Sequence, residues 1–217
     1  QSGASNRLFG LNSENSKLSV TDCNDAAGTL KGCADTSTGY EYWNDKGAVI
    51  FSNQSTSVTN LYRINIDASA VKVQSAPAIH SSGEVNLYNV YVTGGTADGA
   101  SGTITINNSG KLNIYGGTID AKNTVCSVGA AIVNTGTATM HGGRIIGGNC
   151  NNAGGVYNEG TFTMNGGVID CFDSSCNYAS AIDNRGTFTL NNGRIIGGMQ
   201  NTSSTTAAGA VNNRGTF

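Results

Sequence analysis

Apolar residues in this chain recur as columns rather than as runs. Counted from Ser57, Gly83, Gly110, Gly136, Gly160, Gly186 and Gly215, the second position holds Thr59, Val85, Leu112, Ala138, Phe162, Phe188 and Phe217. The fourth position holds Leu61, Leu87, Ile114, Met140, Met164 and Leu190. Apolar side chains two apart, with polar ones between them, predict strands buried on one face. A third apolar column stands nine after the anchor (Ile66, Val92, Ile119, Ile145, Ile169, Ile195), and a fourth four before it (Ile79, Ile106, Ile132, Val156, Ile182, Val211). Each unit therefore predicts three short strands.

The anchors are separated by 26, 27, 26, 24, 26 and 29 residues, a period that drifts by whole residues as loops lengthen. Such drift is the mark of a solenoid. Helices cannot fill these units, because the pairs Gly116-Gly117, Gly142-Gly143 and Gly166-Gly167 cost about 1 kcal/mol per glycine in a helix interior; they predict turns. Two before the anchor lies an asparagine column, Asn108, Asn134, Asn158, Asn184 and Asn213, preceded by Ser81 and Ser55. Asparagine tolerates the backbone of a tight turn, and its amide can bond to the amide one coil above. The predicted fold is all-β: a right-handed parallel β-helix of about seven coils, with equivalent residues stacked about 4.8 Å apart.

Residues 1–50 lack the period, contain Cys23, Cys33 and Trp43, and are expected to form an irregular N-terminal cap; residues 51–217 are expected to form the solenoid. The coil that opens at Gly215 is expected to be completed by further chain or by another molecule. The first residues carry no positively charged start and no initiator Met, which fits a trimmed product.

Composition narrows the function. The 217 residues include 31 glycines and one proline, with 12% charged residues and 38% apolar ones. That is unlike collagen and too apolar for a disordered tail. The formal charge is -2 and no basic cluster is present, so nucleic acid is not expected as a partner. No apolar run approaches the roughly 20 residues of a membrane span.

Six cysteines fit an oxidising compartment. Cys126, Cys150 and Cys176 each stand ten before an anchor, which puts them in one column of neighbouring coils within disulfide reach. The expected bridges are Cys126–Cys150, Cys171–Cys176 and Cys23–Cys33; pairing Cys150 with Cys176 instead would leave Cys126 and Cys171 two coils apart. Asn53, Asn107 and Asn201 begin glycosylation sequons.

No catalytic, cofactor or metal residues are assigned. Asp67, Asp120 and Asp170 share a column, but Thr93, Ile146 and Ile196 occupy it on the coils between, too far apart for paired carboxylates. Arg144 and Arg194 are expected to form ion pairs with such aspartates. Asp170, Asp173 and Asp183 are a candidate cation cluster. His141 reads as a turn residue, and His80 has no evident partner. Thr137/Thr139, Thr161/Thr163 and Thr187/Thr189 form an outward Thr-x-Thr array of the kind found on β-helical ice-binding proteins.

The stretch Gly154-Gly155-Val156-Tyr157-Asn158-Glu159-Gly160-Thr161-Phe162-Thr163-Met164-Asn165-Gly166-Gly167-Val168-Ile169 resembles the GGVYNxGTFTMNGGxI repeat of bacterial cell-surface β-helix proteins, of pectin-lyase-like architecture. The resemblance is close over 130–217 and holds at the level of pattern over 50–129. It extends distantly to the repeats of chlamydial polymorphic outer-membrane proteins. It implies an extracellular, secreted or surface-displayed adhesin or structural fibre rather than an enzyme, self-associating end to end or laterally, with polysaccharide or a host surface as a partner. The alternatives are a β-helix that binds or cleaves polysaccharide and, behind it, an ice-binding protein.

Overall fold

A computed structural model describes residues 8–22, 27–32, 48–73, 77–97, 102–200 and 209–217. The chain is a parallel β-solenoid, with no helix among the described residues, its turns spaced by about 26 residues and numbering about six. The Trp43 segment and the Cys23 and Cys33 pair lie outside the described residues.

Among the described residues, two large sheets form the walls. One has eight short strands, all parallel, in which Ile50, Ile79, Ile104, Ile132, Val156, Ile182 and Val211 stack in register. The other has twelve strands and folds along a corner into two halves. Two strands, Lys111–Asp120 and Thr137–Ile146, run through that corner, and the register slips there between Ile114 and Thr118. Positive φ marks the corner on successive coils: Arg63 at 51°, Asn89 at 53°, Gly117 at 89°, Gly143 at 94°, Gly167 at 89° and Gly193 at 115°. Glycine is needed at Gly117 for a second reason, since a Cβ would stand 2.1 Å from the Val90 carbonyl oxygen. The glycine pairs of the sequence are thus the solenoid's corner.

The inward columns fill the bore. Leu61, Leu87, Ile114, Met140 and Met164 are buried, as are Ile66, Val92, Ile119, Ile145 and Ile169. Phe162 and Phe188 stack at 5.1 Å between ring centroids, and Phe188 and Phe217 at 5.2 Å. The core position of Phe162 and Phe188 follows from the alternation that leaves Thr161 and Thr187 exposed beside them, while Phe217, at the end of the stack, is half-exposed.

Two features differ from the sequence reading. Within the segment expected to be a cap, Phe9–Leu11, Lys17–Thr21 and Thr29–Lys31 are strands, paired with Ile50–Ser52, Val58–Tyr62 and Asn65–Asp67. A coil therefore precedes the first recognisable repeat, built on Leu11, Leu18, Val20 and Leu30 rather than on glycine anchors.

The asparagine column also needs correction. Opposite Asn134 stands Ile106, followed down the column by Ser81 and Ser52. Asn108 is exposed in a turn, and Ser55 is off the column. The coil carries two extra residues between its strand and Gly110, so counting back from the glycine misses the column. The same slip puts Ile104, not Ile106, in register with Ile132.

Candidate functional site

Asn134, Asn158, Asn184 and Asn213 form a continuous ladder, each side-chain amide donating to the next Oδ1 at 2.7 Å. The same amides also reach backbone carbonyls of the following coil, Asn134 to Thr161, Asn158 to Thr187 and Asn184 to Thr216. Asn134, Asn158 and Asn184 have no solvent exposure. The Asn134 Oδ1 has no hydrogen-bond partner, because Ile106 occupies the next place down.

A second ladder, absent from the sequence reading, lies on the outer face. Tyr62, Tyr88, Tyr115 and His141 stack with centroids 4.5, 4.6 and 4.6 Å apart. His141 is therefore a strand residue closing an aromatic stack, not a turn residue. The signal was an aromatic five after each of four successive anchors. Burial, together with neighbouring Tyr115 and Tyr62, raises the Tyr88 hydroxyl above its ordinary value. Beside it, Asn113 donates to Asn86 and Asn86 to Asn60. The Thr-x-Thr array continues this face in register over three coils.

The aspartate column has a local role. Asp67, Asp120 and Asp170 each accept, through Oδ1, the backbone N–H two residues on, at 3.0, 2.9 and 3.1 Å. Each thereby opens a protruding turn, closed by Val71, Thr124 and Ser174 donating back to the carbonyls of Ala68, Ala121 and Cys171. The coils between carry Gly94-Gly95, Gly147-Gly148 and Gly197-Gly198 instead and have no such protruding turn. A Cβ on Gly95, Gly148 or Gly198 would stand 2.0 to 2.3 Å from the carbonyl oxygen of Ala68, Ala121 or Cys171. Turn and glycine pair alternate, so this edge repeats every two coils.

Between two protruding turns lies a groove of about 370 Å³. Ile146 and Gly147 form its floor, Lys122 and Phe172 stand on its opposite walls, and Arg144 and Asp170 lie along its side. Phe172 is 71% exposed. Lys122 reaches across to Asp173 at 3.5 Å, and Arg144 pairs with Asp170. Tyr91 makes the equivalent contact one double coil earlier, donating to Asp120 at 2.9 Å, which raises its hydroxyl above the ordinary value. Asp67 is held below the usual carboxylate range, chiefly by the Ser69 hydroxyl.

These pairings dissolve the candidate cation cluster. Asp170 belongs to Arg144 and Asp173 to Lys122, while fully buried Asp183 lies 3.2 Å from Arg185 and 3.9 Å from Arg214 and accepts from Asn212 at 2.9 Å. Arg185 lies over the Tyr157 ring and Arg214 over Tyr178. A buried carboxylate so compensated is part of the scaffold. No group of three or more metal-ligating side chains occurs among the described residues.

Cys126 and Cys150 are bonded, with Cα atoms 5.1 Å apart. Cys171 and Cys176 are both buried and unbridged, contrary to the expected pair. Cys171 packs against Gly147 and Gly155, where even a methyl group would stand 2.5 and 3.0 Å from its sulfur. Cys176 stands in register with Cys150, its thiol 3.7 Å from the Gly148 carbonyl. Burial pushes the Cys171 thiol up to about 12 and raises Cys176 as well.

Among the sequons, Asn53 is exposed. The Asn107 amide is engaged, donating at 2.8 Å to His80, whose ring stacks on Phe51. Asn201 lies outside the described residues. No helix among them is long and apolar enough to cross a membrane. Comparison with protein-family models, with curated proteins and with solved structures finds no match.

Proposed function

We propose that this chain is a segment of a secreted or surface-displayed structural protein, a rigid β-solenoid rod that mediates adhesion and self-associates end to end or laterally. The observation that carries this reading is side-chain continuity along the axis. The asparagine ladder, the inner phenylalanine stack and the outer Tyr62-Tyr88-Tyr115-His141 stack each link three or more coils. Bending the rod strains all three together, which suits a mechanical element. The repeat around Gly154–Ile169, similar to that of pectin-lyase-like cell-surface β-helix proteins, supports the same reading.

Electron microscopy of the native material, with the denatured subunit mass, tests it. Straight rods or filaments whose width is that of one solenoid are expected; compact particles that neither associate nor attach to any surface would overturn it.

A second reading, favoured by the groove, is a β-helix that binds polysaccharide. Phe172 offers an apolar face for a sugar ring and the flanking charged pairs offer partners for hydroxyls. Glycan-array binding abolished by Phe172→Ser would select it.

A further inference from the structure

Three cysteines, not two, share the column that carries the disulfide. Cys126 pairs with Cys150, and Cys150 with Cys176, as direct neighbours on parallel strands. The bonded pair has Cα atoms 5.1 Å apart. Parallel neighbours stand about 4.8 Å apart, so the unbonded pair lies within disulfide range too. All three residues are at most 8% exposed. Cys150 is thus bridged on one side and faces a free thiol on the other.

We propose that the bridge is mobile by one coil, exchanging between Cys126–Cys150 and Cys150–Cys176 within the folded solenoid. The Cys176 sulfur, as thiolate, attacks the Cys150 sulfur from the side away from Cys126. The new S–S bond forms as the old one breaks, the electron pair leaves on the Cys126 sulfur, and that sulfur takes up a proton. One disulfide and one thiol are present before and after, so no oxidant or reductant is consumed. The two bridges close loops of nearly equal length, with sequence separations of 24 for one and 26 for the other. Chain entropy therefore does not choose between them. Cys171 stays outside the exchange, since it is not in register with Cys150 and its sulfur sits against Gly147 and Gly155.

The exchange makes the cross-link a property of the column rather than of one pair. Whichever bond is present, Cys150 stays tied to a neighbouring coil while one outer cysteine is free.

The test is disulfide mapping of the folded chain. The protein is held in mildly alkaline, non-denaturing buffer, quenched in acid, alkylated on its free thiols while unfolded, digested and read by mass spectrometry. Both bridged peptides are expected, in amounts within about tenfold of each other, at a ratio independent of protein concentration. Cys176→Ser should leave only Cys126–Cys150, and Cys171→Ser should leave the ratio unchanged. A Cys126→Ser chain oxidised after folding should form Cys150–Cys176. Finding only Cys126–Cys150 in the equilibrated wild type, or a bridge to Cys171 in place of Cys176, would overturn the proposal.

Discussion

The Asn158 side-chain amide donates to Asn184 Oδ1 at 2.7 Å, and neither residue is exposed to solvent. Each also satisfies backbone of the coil beyond, so the pair fixes coil spacing as well as filling space. Replacing Asn158 by Ala strips donors from the Gly160 and Thr187 carbonyls and from Asn184, and removes the acceptor for Asn134. The expected cost is about 3 kcal/mol, since buried partners are left unpaired. Asn108→Ala, in an exposed turn, should change stability by less than about 0.5 kcal/mol. Urea denaturation of both variants checks the contrast.

Phe162 has no exposure while Thr161, its chain neighbour, is open to solvent. Phe162→Ala should cost about 3–5 kcal/mol, and Phe162→Asp should prevent folding of the central coils by burying a charge. Thr161→Asp should fold normally. Circular dichroism melts distinguish them, and equal effects would reverse the assignment of inner and outer faces.

Gly143 turns the corner at a φ of 94°, and a Cβ there would lie 2.7 Å from the Gly117 carbonyl oxygen. Gly143→Ala should destabilise by about 1–3 kcal/mol. Alanine at Gly142, where a Cβ would meet nothing within 4 Å, should be close to neutral. Thermal melts of the two variants make the comparison within a single glycine pair.

Alkaline pH should destabilise the fold. Burial pushes the Cys171 thiol from 9.0 up to about 12, and burial with the Glu159 hydrogen bond pushes the Tyr157 hydroxyl from 10.0 up to about 12. Above pH 9 the unfolded chain loses these protons first, so it binds fewer than the native state and stability falls as pH rises towards 12. Melting temperatures across that range should decline, less steeply for Cys171→Ala. A parallel decline in both proteins would contradict the buried-thiol contribution.

Most of the solenoid was legible because period-two alternation and coil stacking turn sequence columns into contacts: Leu87 above Leu61, Ile145 above Ile119, Cys150 above Cys126. What failed did so where counting from glycine failed. Ile106 took the place expected for Asn108 because its coil is longer there, and the coil of Phe9–Lys31 has no glycine anchor to count from. The groove was hidden for another reason. It depends on a two-coil alternation between aspartate turns and glycine pairs, visible in Asp120, Ile146 and Asp170 only once turn chemistry is added to hydrophobic pattern. The bridged pair Cys126–Cys150 followed from spacing, whereas Cys171 stands outside the strand that puts Cys176 in register with Cys150 and is left unbridged.

The inner asparagine ladder has a sense. Every amide in it hands its proton forward, from Asn134 through Asn158 and Asn184 to Asn213, leaving a bare oxygen at the Asn134 end. The column is accordingly a one-way street. Any coil stacked beyond Asn213, from whatever source, must arrive with an oxygen facing that amide; one delivered upside down would set donor against donor. The buried amides of Asn134, Asn158 and Asn184 thus give the solenoid axis a polarity that its surface does not need to supply.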